Sequence, residues 1–583
     1  MDNHLWLLIH LLTICIMSVS GEVFVSIDCG ASGSFTDENT IVWKGDSDLI
    51  SNGVTYAVQS NYTVSRVMDT LRAFTTRKKN CYSIEATQGE KVLVRAGFNY
   101  GNYDRKSNPP NFDLHFNGNF WITVNSSQVK VYEAIYVLKK KVVSVCVAQT
   151  NPNQIPFIST LEVRSLDIQV YGNMGTNYAL FTNIRTAYAV NESIRFPKDP
   201  YDRIWWPAVI GDGLINVTTD ATLINVDVPD NPPPAVLENG ISIPIENRTN
   251  IINLGLTIID YPARYPIYIN WYFSEVIKLN PGEIRSFRIY IDNVAFSLPI
   301  VPPFGNVTQY FISNLTATLD TNFSLYPIGD STYPPLINAA ELFSISDPLT
   351  NGTNNDDVEG LSSLQLAFRS LQEWGGDPCL PAPYSWEWIV CNNEPTPRVT
   401  SLLLNSFNLS GPLPDFSNMT ALEIIDFHNN SLTGPIPSFI GTLPNLKQIN
   451  LADNQFSGSI PRSLSRNSKL NLSVAGNPLL CTNDKSCPGS GNSKTSKLPI
   501  ILGITIPILF IFCIILGVLI VRHRRKASVP PNSVSGNMSH RANATTSATR
   551  GITQFDNSDD NGDNDEERFY SSPAPLLVGG RST

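Results

Sequence analysis

A chain of 583 residues is too long for one hydrophobic core and divides into roughly three or four domains at about 150 residues each. Only 16% of the residues are charged and the formal net charge is −10, which excludes the broad basic footprint of a nucleic-acid-binding protein. Asparagine, serine, threonine, proline and aromatics dominate, a composition suited to extracellular β-rich modules.

The first element is an apolar run over 5–17 followed by the small residues Ser18, Val19, Ser20 and Gly21. It reads as a secretory signal peptide spanning 1–21, although no Lys or Arg precedes the run. From 22 to 348 the chain reads as strands. "KVLVRAGFNYG", "NFDLHFNG", "FWITVN", "ISTLEVRSL" and "IRSFRIYIDNV" alternate apolar and polar residues between Gly, Asn and Pro punctuation. In the last of these, Phe287, Ile289 and Ile291 face one way and Arg288 and Tyr290 the other. So many short strands suggest two β-sandwich lobes, 22–190 and 191–348, with the seam around 185–200 before "YDRIWWP". An aromatic-rich strand pair recurs once in each lobe, a faint internal duplication.

The segments "VFVSIDCGA", "FTTRKKNCYSI", "LVRAGFNYGNYD", "PFISTLEVRSL", "YDRIWWP" and "NWYFSEV" resemble, in order, the tandem malectin-like region of plant receptor-like kinases and receptor-like proteins. The resemblance covers about 24–345 and implies two lobes of carbohydrate-binding type, with sugars, peptides or proteins as ligands. A sugar site needs flat aromatics for C–H faces and amides or carboxylates for hydroxyls. Phe98, Asn99, Tyr100, Asn102, Tyr103, Asp104 and Trp121 supply both in the first lobe. In the second lobe Ile277 and Lys278 follow "FSEV" where a sugar-binding malectin carries aromatics, so glucose recognition is not expected there.

A linker and amphipathic helix occupy 349–370, with Leu361, Leu364, Ala367, Phe368 and Leu371 on one face. The acidic stretch "SDPLTNGTNNDDVEG" reads as a protease-sensitive link. Next comes "EWGGDPCLPAPYSWEWIVC", within 371–397. It resembles the GDPC element and paired-cysteine cap of plant leucine-rich-repeat ectodomains, which implies a Cys379–Cys391 bridge and a hinge between two recognition modules. Over 398–480 the repeat itself is visible, with Gly411, Gly434 and Gly458 spaced by 23 and 24 residues. Leu402, Leu404, Leu409, Ile425, Phe427, Leu432, Ile449, Leu451 and Phe456 point into its core. Asn430 and Asn454 hold the turn position whose amide satisfies backbone groups; Phe407 stands there in the first repeat. Leu403, Asn405, Asp426, His428, Asn450 and Ala452 are expected on the concave face, and a partial fourth unit closes at Cys481 and Cys487 in a C-terminal cap over 481–497.

Residues 498–521 are 24 consecutive uncharged residues, enough to cross a hydrocarbon core, and Arg522, His523, Arg524, Arg525 and Lys526 follow on the side expected to be cytosolic. The architecture is thus a mainly β, single-pass type I plasma-membrane protein with a disordered cytoplasmic tail over 522–583. Thirteen sequons precede the span, an expected glycoprotein pattern: Asn61, Asn125, Asn191, Asn216, Asn247, Asn306, Asn314, Asn322, Asn351, Asn408, Asn418, Asn429 and Asn471. Seven cysteines lie in the same oxidising compartment. Cys379/Cys391 and Cys481/Cys487 are natural small loops, and Cys29, Cys81 and Cys146 leave one thiol over.

Catalytic chemistry has little to stand on, because His115 and His428 are the only histidines between the two apolar segments and sit in different modules. A histidine-rich zinc site cannot be assembled from them, no G-x-S-x-G elbow accompanies either, and no metal or cofactor is expected. The tail carries no phosphate loop and no HRD or DFG motif. The expected function is a non-catalytic cell-surface receptor-like protein that binds a carbohydrate or a secreted peptide and signals through a partner receptor kinase. A tether between cell wall and plasma membrane is the structural alternative, and an ectoenzyme acting on glycans is the third class.

Overall fold

The computed structural model describes residues 22–209, 211–255, 265–481 and 577–581. Alternation dictates the first core. Val92, Val94, Ala96 and Phe98 of the strand Lys91–Phe98 pack with Leu114, Phe116, Val143 and Val145 of a facing four-stranded sheet. That sheet runs in the order Lys79–Glu85, Val142–Ala148, Asn111–Phe116, Asn119–Asn125. Each such side chain contributes about 1.5–3 kcal/mol of burial. In the second lobe Phe287, Ile289 and Ile291 do face inward, joining Ile252, Ile267, Ile269, Trp271, Phe273 and Leu325 in a separate core.

The lobes are joined more closely than a loop seam allows. One eleven-stranded sheet runs through both, and the strand Leu180–Ala187 sits at its middle. This strand pairs antiparallel with Ala339–Ile345 from Leu180↔Ile345 to Ala187↔Ala339, but meets Lys130–Val137 only at Ala134↔Phe181 and Ile135↔Leu180. Its Phe181 belongs to the first core and its Ile184 to the second. The shared strand thus lies at the edge of the seam expected around 185–200, and the backbone edge of the second lobe at Ala339–Ile345 is satisfied by it.

Polar positions of these strands are not solvated. Arg95 bonds Glu133 at 2.8 Å and Glu162 at 3.0 Å, Arg185 bonds Glu133 at 2.6 Å and Glu341 at 2.7 Å, and Arg164 and Arg195 each reach Asp202 at 2.8 Å. Burial alone would raise the Glu133 carboxyl, yet Arg185 and Arg95 hold it down to about 2.

The segment expected to be an open, protease-sensitive link is pinned. Leu349, Thr353, Asp357 and Gly360 are buried. Lys139 Nζ donates to Leu349 O at 2.7 Å and to Asn351 Oδ1 at 3.0 Å, and Thr350 N donates to Asn119 Oδ1 at 2.9 Å. The helix Asn355–Ala367 starts at the Asn354 cap, and Asp357 beneath its first turn pairs with Arg398 at 2.8 Å. Leu361, Leu364, Phe368 and Leu371 bury into the repeat core as the helical face predicts, while Ala367 stays exposed.

The repeats stack four parallel strands, Val399–Leu403, Ile424–Asp426, Gln448–Asn450 and Asn471–Ser473, behind the antiparallel cap strand Ile389–Cys391. Asn430, Asn454 and Asn477 form a ladder. Asn454, for example, donates to Phe427 O at 2.9 Å and accepts from Leu432 N at 3.0 Å. At the first rung Phe407 replaces the amide, and the cap strand pairs against the repeat there, with Leu403 N donating to Trp388 O at 2.8 Å.

Cys379–Cys391 is bridged as the resemblance implies, and Cys81–Cys146 is bridged across directly paired strand positions, leaving Cys29 as the buried free thiol among the described residues. Cys481 is also disulfide-bonded. Cys487, the expected signal peptide over 1–21, the expected membrane span over 498–521 and all of the expected tail except 577–581 lie outside the described residues. Within them, no helix is long and apolar enough to cross a membrane.

Candidate ligand groove, repeat face and docked cap

The turn after Lys91–Phe98 carries five of the seven residues expected in a sugar site. Asn99, Tyr100 and Asn102 line a groove of about 430 Å³ together with Asn61, Tyr62, Thr63, Val64, Gly101, Ser107, Pro109, Ser126, Ser127, Gln128 and Val129. That volume is within the range of small-ligand sites, about 300–1,000 Å³. The floor is rigid. Asn99 Nδ2 donates to Tyr62 O at 3.2 Å and Met68 O at 3.1 Å, and Ser107 N donates to Asn102 Oδ1 at 2.8 Å. Tyr100 Oη donates to Asp104 Oδ1 at 2.5 Å, and burial together with that carboxylate pushes the phenol up to about 12. Tyr100 thus stays neutral and keeps its oxygen anchored.

The other expected residues serve packing. Phe98 is fully buried among Phe112 and Phe157, Tyr103 packs on Tyr56 and Phe157, and Trp121 stacks on Phe181 with ring centroids 6.0 Å apart. Strand alternation turns Phe98 and Trp121 into the core rather than toward the groove. Asp104 acts beneath the rim through Tyr100. The walls, from Asn61, Tyr62, Thr63 and Val64 on one side and Ser126, Ser127, Gln128 and Val129 on the other, were missed. They are short polar loop segments, and their only sequence mark is that each lies at a sequon, Asn61 or Asn125.

On the repeats, Leu403, Asp426, Asn450 and Ser473 align in register across the parallel sheet. Asn405 is exposed, and His428 and Ala452 are half-buried. His428 Nδ1 lies 2.7 Å from Asp426 Oδ1, and Asn450 Oδ1 accepts from Ala452 N, so the expected face is built from locally tied side chains.

Between these regions the cap is docked on the first lobe rather than hinged. Lys79 Nζ donates to Asp377 O at 2.7 Å and Leu380 O at 2.9 Å. Arg77 pairs with Glu373 at 2.6 Å and covers the Trp374 ring at 4.5 Å, and Tyr384 Oη donates to Asp113 Oδ2 at 3.0 Å. Gly376, at φ +75°, lies over the Cys81–Cys146 bridge; an added Cβ would fall 2.5 Å from the Cys81 sulfur. His115 is buried in the same contact with neither ring nitrogen hydrogen-bonded. Burial and the Lys79 charge lower it to about 3, so it is neutral and walled off from any substrate. Among the described residues no group of His, Cys, Asp or Glu is arranged to hold a metal ion.

Residues 27–345 match the malectin-like domain, and 421–443 and 445–467 match leucine-rich repeats. The probable LRR receptor-like serine/threonine-protein kinase At1g05700 of Arabidopsis thaliana is 33% identical over 435 residues, covering 71% of this chain and 49% of that protein. The uncharacterized protein At1g24485 of the same plant is 36% identical over 355 residues, 59% of this chain and 69% of that one. This chain therefore spans about half the length of the receptor kinase it matches. The ectodomain of ANX2 from Arabidopsis thaliana aligns at a TM-score of 0.48 and 18% identity, over 56% of this chain and 97% of that one. With a domain match across more than half its length and the repeats following in order, the chain belongs to the malectin-like family, in the branch that carries leucine-rich repeats.

Proposed function

We propose that this protein is a non-catalytic receptor-like protein of the plant plasma membrane. Its extracellular part binds a carbohydrate or a secreted peptide, and it signals through a partner receptor kinase. The observation that carries the reading is the first-lobe groove, where Tyr62 and Tyr100 stand among the amides and hydroxyls of Asn99, Asn102, Ser107 and Gln128. Such a lining offers stacking faces and hydrogen bonds but no poised acid, base or nucleophile. The docked cap supports a receptor role, because it ties the groove-bearing lobe to the repeat module through Lys79, Arg77 and Tyr384.

A type I orientation sets 498–521 in the bilayer and the tail in the cytosol. The strand Leu577–Arg581 pairs with Ile251–Gly255, a contact incompatible with that orientation within one molecule. The span takes precedence energetically. Its Leu, Ile, Val and Phe residues each favour insertion by about 0.3–0.6 kcal/mol, whereas a five-residue edge strand containing Gly579 and Gly580 is marginal.

The test is a binding screen of the detergent-solubilised full chain against wall oligosaccharides and secreted plant peptides, with Tyr100→Ala as comparator. Saturable binding weakened by that substitution is expected. Turnover of any wall oligosaccharide by the purified chain overturns the non-catalytic reading.

A further inference from the structure

The groove has a sequon built into its wall. Asn61, Tyr62 and Thr63 all line it, and Asn61 is exposed on the one-turn helix Ser60–Tyr62, its carboxamide making no hydrogen bond among the described residues. The sequon on the opposite wall differs. Asn125 itself does not line the groove, and its Oδ1 is engaged by Ser127 N at 3.1 Å. We propose that the N-linked glycan carried by Asn61 folds back into this groove and is its resident occupant, so that the protein's own sugar gates the site.

Three features fit an N-acetylglucosamine-based core. Tyr62, 46% exposed, offers aromatic surface for pyranose C–H faces, over a floor that includes Tyr100, itself packed on Tyr103 and Phe157. Asn102, Ser107, Ser127 and Gln128 line the same space with amides and hydroxyls for sugar hydroxyls and acetamides. The lining contains no charged side chain, as suits a neutral glycan. Tethering then decides the competition. A ligand held by a short linker sees the site at an effective concentration in the mM range. If the intrinsic Kd is about tenfold below that concentration, the tethered glycan is seated about nine-tenths of the time, and a free sugar of equal intrinsic affinity binds about tenfold more weakly. The inference rests on the groove of the proposed function being a sugar site, and it adds what regulates that site.

The full chain, made as a uniform high-mannose glycoform and kept in detergent, is treated with endoglycosidase H under native conditions, and release is followed site by site by glycopeptide mass spectrometry. Asn247, exposed on a comparable turn, Ile245–Asn247, is the internal comparator. Release at Asn61 is expected to be about tenfold slower than at Asn247. Asn61→Gln is expected to raise amide exchange across 99–109 and 126–129 and to lower the Kd for the free trimannosyl-chitobiose core about tenfold. Asn247→Gln, which removes a glycan outside the groove, changes neither. An unglycosylated Asn61, or release as fast as at Asn247, overturns the proposal. If Asn61 is protected but neither form binds any free sugar, the gating glycan stands and binding of external carbohydrate fails.

Discussion

The imidazole of His115 packs against the phenol ring of Tyr384 with 5.1 Å between centroids, joining residues 269 positions apart across the contact between the first lobe and the cap. The ring is neutral there, lowered to about 3 by burial and by Lys79. Its folded pKa lies below the ordinary value near 6.5, so the stabilisation is complete above about pH 6.5 and is lost as pH falls toward 3. At pH 5 the loss is about 2 kcal/mol. Lys79 itself, lowered to about 8 by burial, stays protonated over this window and adds no slope. Thermal melts from pH 7.5 to 4.5 are expected to show a steeper fall in Tm for the native chain than for His115→Phe; equal slopes refute the assignment.

Removing the ammonium that holds the cap leaves two carbonyls, of Asp377 and Leu380, without their donor. Lys79→Met is expected to weaken docking by about 2–4 kcal/mol. Limited proteolysis reads this directly, with cleavage across 346–360 accelerating in the variant and the cores of both lobes remaining resistant. Unchanged cleavage rates mean that the other cap contacts suffice.

Cys29 is the free thiol among the described residues, and burial beside Asp46 pushes it well above the ordinary thiol value. Alkylation of the native chain is expected to leave Cys29 unmodified, while denaturation without reductant exposes it and leaves Cys81, Cys146, Cys379 and Cys391 blocked. Labelling of Cys81 or Cys146 under those conditions would contradict the bridge.

Asn454 satisfies two neighbouring turns of the solenoid at once. Asn454→Ala strands Leu432 N in the core and leaves Phe427 O with Asn430 Nδ2 as its donor, and it is expected to destabilise the repeats by about 1–3 kcal/mol, seen as a lower-temperature melting step. Since repeats are stabilised through their neighbours, that step should shift while the lobe transitions hold.

Orientation is checked by a C-terminal epitope tag on intact protoplasts. Protection from external protease until the membrane is permeabilised is expected from a span at 498–521; cleavage without permeabilisation favours the pairing of Leu577–Arg581 with Ile251–Gly255.

The features legible in the sequence were those set by short-range order. Gly411, Gly434 and Gly458 announce the solenoid because each repeat contacts its neighbour at nearly constant spacing, and Phe287, Ile289 and Ile291 follow strand alternation. The Cys379–Cys391 bridge was read from its family cap. Arg95, Glu133 and Glu162 were invisible as a buried network, since polar residues in alternation ordinarily face water and these find their partners 38 and 67 residues away. The same holds for Lys79 and the cap, a contact across 298 residues. In the groove, Asn99, Tyr100 and Asn102 were found because they cluster in one turn. The walls come from two loops with no chemical signature of their own, and Phe98 and Trp121 were drawn in by their aromatic character although strand geometry turns them to the core.

The strand shared by both lobes also governs how the protein is made. Leu180–Ala187 emerges from the ribosome long before Ala339–Ile345, its partner along nearly its whole length. During that interval the first lobe ends in an unpaired backbone edge, the kind of surface that recruits chaperones and aggregates when left open. Chains terminated anywhere between 190 and 338 should consequently aggregate or be degraded, even though they contain all of the first core except Leu349. Completion of residue 345, rather than of either lobe alone, marks the point at which that edge is closed.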